Sequence, residues 1–169
     1  TFGGHIVVTQ GLLDTVHSEN ALAMVLAHEL AHVKNRDPLI SLGSGVIFSL
    51  AIASITVSNV DAYWLTNSTG SLTQLTFSRR QESAADAEAI KALTSYYGHT
   101  LGAEELFQAI LSKSQYAPHV SEFLQSHPDT ENRIISIKAS QKNLPSPAEL
   151  TPLPDEIMKI QRESLSRRR

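Results

Sequence analysis

At 169 residues the chain has the length of one domain and can bury a sizeable core. Its 14 basic and 17 acidic residues leave a net charge of −3, which argues against a general nucleic-acid binder. It has no cysteine, so disulfides and thiolate metal ligands are excluded.

Thr1 is not an initiator methionine, and no charged flank leads into an apolar run, so no signal peptide is expected. Residues 2 to 13 read as a glycine turn, a short strand over His5 to Gln10, and a turn into helix. Residues 5 to 9 are candidates for an edge strand that a peptide substrate could extend. His5 and His17 are read as surface residues.

The next element carries the chemistry. From Ser18 to Lys34 the chain is rich in helix formers and free of glycine and proline. Ser18 suits the N-cap and Glu19 the first turn, and Asn35-Arg36-Asp37-Pro38 ends the helix. Leu22, Met24, Val25, Leu26, Leu30, Ala31 and Val33 make it apolar on nearly every face, as in a core helix. Within it lies His28-Glu29-Leu30-Ala31-His32. Histidines four apart on a helix share a face and can reach one metal ion, while Glu29, about 100° around, can address a water on that ion as general base. The alternative is a pair of core histidines hydrogen-bonded to backbone.

Leu39 to Val60 contains no charged residue and is long enough to span a bilayer as a helix. Small residues fill about half of it, which also suits packing on the domain or on a second copy of the chain. A polar loop with Tyr63 and Trp64 follows, to Leu75.

Ser78 and Gln81 are spaced as a capping box, opening a helix that should stop at Gly98. Glu82 and Asp86 share one face of it. Glu82 would complete a two-histidine-plus-glutamate zinc set that leaves the fourth position to water. Asp86, one turn on, would accept the free ring N–H of a histidine. Alternatively both belong to a solvated face balanced by Arg79 and Arg80. Glu88 is read as a surface residue. A helix near 102–114 should turn Leu106, Phe107, Ile110 and Leu111 inward. Ser126-His127-Pro128 then precedes a helix from about Thr130 to Lys142 that contains Arg133. From Asn143 a proline-punctuated linker leads to a short amphipathic helix, Asp155 to Ser166, and a basic end, Arg167-Arg168-Arg169. This divides the chain into a catalytic domain, 1–142, and a linker with a basic helix or tail, 143–169.

Taken together, His28 to His32 with Asn35-Arg36-Asp37, the stretch Ser78 to Asp86, and Ser126-His127-Pro128 ahead of Arg133-Ile134 resemble the HtpX-type and CAAX-prenyl-protease family of gluzincin metallopeptidases. The resemblance covers roughly residues 1 to 140. It implies an α+β, mainly helical zincin-like domain with a small sheet, and a zinc endopeptidase with His28, His32 and Glu82 as ligands and Glu29 as base. It also implies that His127-Pro128 approaches the cleft with Arg133 behind it. The transmembrane region of many relatives is missing from this sequence, so an excised or processed catalytic domain of a membrane-associated protease is expected, its side of the membrane open.

His127 has three readings: a transition-state donor or substrate contact, a fourth ligand that displaces the water in a resting enzyme, or a structural cap. Arg133 either stabilises the oxyanion or pairs with a carboxylate near the site. The expected partner is a polypeptide, unfolded or membrane-bound. The expected activity is metal-assisted peptide hydrolysis, against the alternative of a zinc-bearing, chaperone-like binding module with little peptidase activity; an exopeptidase ranks lower.

Overall fold

The computed structural model describes residues 6–43, 77–113, 127, 130–141 and 149–167. Six helices are named here: α1 (Gln10–Leu13), α2 (Glu19–Lys34), α3 (Arg79–Tyr97), α4 (Glu105–Lys113), α5 (Thr130–Ser140) and α6 (Asp155–Arg167). A further helical stretch occupies 37–43.

α2 is the axis of the domain, and its side chains divide among three environments. Ala21, Leu22 and Val25 join Val16, Leu106, Ile110 and Leu153 in one apolar cluster. Met24 joins Ala89, Leu93, Ala103, Phe107 and Ile137 in a second. His28 and His32 point into the third environment, a polar pocket, and both are buried. Each fully buried large apolar side chain stabilises the fold by about 1.5–3 kcal/mol, and the two clusters together fix α2 on two sides. Leu30 departs from the expected all-round burial and is 53% exposed.

The ends of α2 are closed by side chains. Ser18 Oγ accepts from Ala21 N at 3.1 Å and donates to Glu105 Oε2 at 2.8 Å, while the His17 backbone N–H donates to Glu105 Oε1. Asn35 caps the C-terminus, Arg36 takes a left-handed φ of 58°, and the chain turns at once into 37–43.

α3 lies antiparallel to α2, since Met24 and Leu93 share a cluster while His32 meets Glu82. Its buried stripe runs Glu82, Asp86, Ala89, Leu93: carboxylates in the first turns and hydrocarbon afterwards. The α2 stripe Met24, His28, His32 has the opposite order. Antiparallel pairing therefore matches apolar with apolar and carboxylate with imidazole. The capping box at Ser78 and Gln81 forms as expected, and Gly98 ends α3 at φ 76°.

Among the described residues there is no β-strand, only an isolated antiparallel bridge between Ser18 and Pro152. The expected strand over His5 to Gln10 is not seen: residues 6–9 are irregular, Thr9 Oγ1 caps α1 by accepting from Leu12 N, and Gln10 is already helical. A strand exists through its ladder, and no described neighbour offers one. The C-terminal segment packs closely on the rest of the domain. Glu19 N donates to Thr151 O at 2.9 Å and Thr151 N to Asn20 Oδ1 at 2.8 Å. Leu153 enters the first cluster, with Ile157 and Met158 packed against it. Gln161 Nε2 donates to the carbonyls of Leu13 and Val16. The linker 142–148, the loop with Tyr63 and Trp64, and most of Leu39 to Val60 lie outside the described residues. Among those that are described, no helix is long and apolar enough to cross a membrane.

Candidate metal centre

Packing of α2 on α3, with α5 behind, brings His28, His32, Glu82 and His127 together: one ligand atom from each lies within 4.8 Å of the others. The separations are 3.0 Å between the His28 and His32 Nε2 atoms, 3.3 Å from His32 Nε2 to Glu82 Oε1 and 3.6 Å from His28 Nε2 to Glu82 Oε2. His127 Nδ1 is 3.0 Å from Glu82 Oε1 and 3.4 Å from His28 Nε2. A tetrahedral zinc site with bonds of about 2.0–2.1 Å has donor-to-donor edges of roughly 3.3 Å, so the cluster has the size of such an ion's coordination shell.

The hydrogen bonds behind the cluster fix what the imidazoles present. His28 Nδ1 lies 3.0 Å from Asp86 Oδ1, and His32 Nδ1 lies 2.8 Å from Asp37 Oδ2. A carboxylate can only accept, so both Nδ1 atoms carry a proton and both Nε2 atoms face the cluster, where each can hold either a second proton or a metal ion. With both rings neutral, two Nε2 lone pairs would face each other at 3.0 Å, a repulsion that a proton on one ring or a cation between them relieves. Charge points the same way. Among the described residues, the buried carboxylates of Asp37, Glu82 and Asp86 face one buried guanidinium, that of Arg133; with the histidines neutral this is an excess of two negative charges, which a divalent cation would balance. These residues fit such an ion.

The same environment sets the ionisation. Burial pushes Glu82 upward, but hydrogen bonds from His127 and His32 and the charge of Arg133 outweigh it and hold the carboxyl well below its usual range. Asp86 is lowered likewise, burial being outweighed chiefly by the Arg133 fork and by His28. His28 is lowered by burial, aided by Arg133, whereas at His32 burial is overcome by Glu82 and Asp37 and the value rises.

Glu29 stands at the margin. Its side chain is 21% exposed, and its Oε1 lies 3.6 Å from His127 Nε2. Arg133 is buried behind the carboxylates: Nε and Nη2 fork onto Asp86 Oδ2 and Oδ1 at 2.8 Å each, and Nη1 forms an ion pair with Glu82 Oε2 at 2.5 Å without hydrogen-bond alignment. Its guanidinium sits 4.6 Å from the Phe107 ring centroid. Of its two expected roles, this geometry is that of carboxylate pairing. Glu88 forms a surface ion pair with Lys34, and His17 is exposed. His5 lies outside the described residues.

Matched against known families, residues 1–141 fit the sequence profile of peptidase family M48. The chain belongs to peptidase family M48. Among curated M48 relatives, the fission yeast Schizosaccharomyces pombe protein named mitochondrial metalloendopeptidase OMA1 is 30% identical over 80% of this chain and 41% of its own length. Protease HtpX of Thioalkalivibrio sulfidiphilus is 28% identical over 81% of this chain and 58% of its own. A Vibrio cholerae protein named putative beta-barrel assembly-enhancing protease is 25% identical over 89% of this chain and 33% of its own. The chain thus spans roughly a third to three-fifths of the length of these M48 proteins. No solved structure matches it.

Two contributors to the M48 site lie beyond what the sequence suggests. Asp37 reads there as part of the stop after α2 and of the Asn35-Arg36-Asp37 element of the resemblance, with no role of its own, yet it is 4% exposed and orients His32. The available signal is a carboxylate placed about one turn beyond the second histidine of the His28–His32 pair. Phe77, directly before the N-cap of α3, stacks on His32 with ring centroids 4.1 Å apart and planes within 12°.

Proposed function

We propose that this M48 domain is a zinc-dependent endopeptidase that hydrolyses polypeptides with Glu29 as general base. The observation that carries the proposal is the convergence of His28, His32 and Glu82 on one buried point, with the solvent-reaching carboxylate of Glu29 beside it. Bound there, zinc would supply Lewis acidity to the scissile carbonyl and to the attacking water. Glu29 accepts the proton of that water and returns it to the leaving nitrogen. Asp86 and Asp37 hold the Nδ1 atoms of His28 and His32 and would so keep their Nε2 atoms available to the ion, while Arg133 holds Asp86 and Glu82. We assign Arg133 to positioning. His127, once off the cluster, has a ring N–H to offer the tetrahedral oxyanion, a contribution typically worth about 3 kcal/mol.

We place this work at a membrane, in protein quality control or processing. The support is the uncharged stretch Leu39 to Val60, whose first residues Leu39 and Ile40 are 66% and 57% exposed, and the relatives' names, one tied to barrel assembly and one to the mitochondrion.

A second reading rests on His127. Its Nδ1 sits at the fourth corner of the donor cluster, where a working peptidase keeps water, so this arrangement suits a latent enzyme or a zinc-bearing binding module. One assay separates the readings: cleavage of casein by the zinc-loaded protein, with and without chelator. Glu29→Gln should retain zinc and lose turnover by a factor of about 10²–10⁴; full activity in that variant would refute the assignment. His127→Ala should lower cleavage if His127 is a transition-state donor and raise it if His127 is a block.

A further inference from the structure

The polar contacts at the start of α3 form a continuous connection between the two ligand-bearing helices. Gln81 Oε1 accepts from Ser78 N at 2.8 Å and from Ser78 Oγ at 2.7 Å, closing the capping box. Its Nε2 donates to Asp37 Oδ1 at 3.1 Å. Asp37 Oδ2 in turn holds His32 Nδ1 at 2.8 Å. The amide orientation follows from chemistry: a backbone N–H only donates and Asp37 only accepts, so the Gln81 oxygen must face Ser78 and its nitrogen Asp37. Gln81 immediately precedes Glu82, so one side chain ties the backbone next to one proposed ligand to the carboxylate that orients another.

We propose that Gln81 is a positioning residue: it braces the N-terminus of α3 against Asp37 and so fixes Glu82 and His32 in register at the metal centre. This rests on the reading of His32 and Glu82 as metal ligands. Helix capping alone does not explain the choice of glutamine. Glutamate at the same position completes a capping box equally well, but it has no N–H for Asp37 and would set a second carboxylate against it.

That difference supplies the test. Zinc affinity of the full chain is measured by competition with a chromogenic chelator, and helix content by circular dichroism. Gln81→Glu should keep its helix content and bind zinc roughly ten- to a hundredfold more weakly, the usual cost of removing a group that orients a ligand. Asp37→Asn should weaken binding as well, because the new amide nitrogen then faces that of Gln81. The double variant Asp37→Asn/Gln81→Glu should recover most of the loss. At position 37 the amide oxygen then accepts from His32 while its nitrogen donates to the carboxylate at position 81, and the net charge is unchanged. Binding by Gln81→Glu within threefold of the parent, or a double variant as weak as the single ones, would overturn the brace. Parent protein that holds zinc no better than His32→Ala would instead overturn the metal reading, and the brace with it.

Discussion

Removing Arg133 tests whether the site is built around buried charge. The guanidinium is 4% exposed and faces two carboxylates that are themselves almost fully buried, Asp86 through a two-point fork and Glu82 through an ion pair. Arg133→Met keeps an apolar stem over Phe107 but leaves both carboxylates without their cation. Losing one partner of a buried pair typically costs about 3–5 kcal/mol, because the other charge stays desolvated. For a chain of this size each kcal/mol lowers the melting temperature by about 2–4 °C, so a fall of roughly 6–20 °C is expected. Arg133→Lys should fall between, since an ammonium keeps the charge but cannot fork onto Asp86. The assay is urea and thermal unfolding followed by circular dichroism, in chelator so that no metal substitutes for the lost charge. Unfolding of Arg133→Met within about 1 kcal/mol of the parent would show that the carboxylates are compensated elsewhere, and the charge argument for a cation site would fail with it.

Acid should destabilise the metal-free protein in a defined range. Glu82 has a folded value depressed below its ordinary 4.5, and Asp86 one below 3.8, so the unfolded chain binds more protons as pH falls. Their stabilisation is complete above those unfolded values and should be lost progressively below about pH 4.5; flat urea midpoints between about pH 5 and pH 3 would contradict this. His28 and His32 shift in opposite directions and so oppose each other near neutrality, which leaves the acid limb as the cleaner signal. Leu153→Ala should cost about 2–5 kcal/mol although it lies beyond the proline-rich linker, because its side chain sits in the first core cluster; a loss under about 0.5 kcal/mol in urea unfolding would show the C-terminal segment to be dispensable. Gly98→Ala should cost about 1 kcal/mol through its φ of 76° alone, and Gly102→Ala more, because an added Cβ there would also displace the Leu150 side chain and crowd the buried Ser18 Oγ at 3.2 Å and Asn20 Cβ at 3.3 Å; equal losses in urea unfolding would show that these neighbours give way without cost.

What can be read from the sequence, and what cannot, follows from the range of the interactions. The caps at Ser18 and Ser78, the stop at Gly98 and the shared faces of His28 with His32 and of Glu82 with Asp86 are local, set by residues within one or two turns of each other. Asp86 is legible as a histidine partner because a carboxylate one turn from Glu82 has few other uses in a buried stripe. Asp37 is not, because its role appears only once α2 has ended, the chain has reversed through the left-handed Arg36, and α3 has brought Gln81 alongside. The edge strand is not seen among the described residues for a related reason: apolar residues within 5–10 specify a strand only where a partner is waiting. The C-terminal segment carries the point furthest. Read locally, Thr-Pro-Leu-Pro is linker composition; folded, Thr151 completes the backbone bonding of the first turn of α2 and Leu153 fills the core beneath it. The helix that carries His28 and His32 therefore receives its footing from residues more than a hundred positions away, a dependence that neither periodicity nor motif spacing encodes.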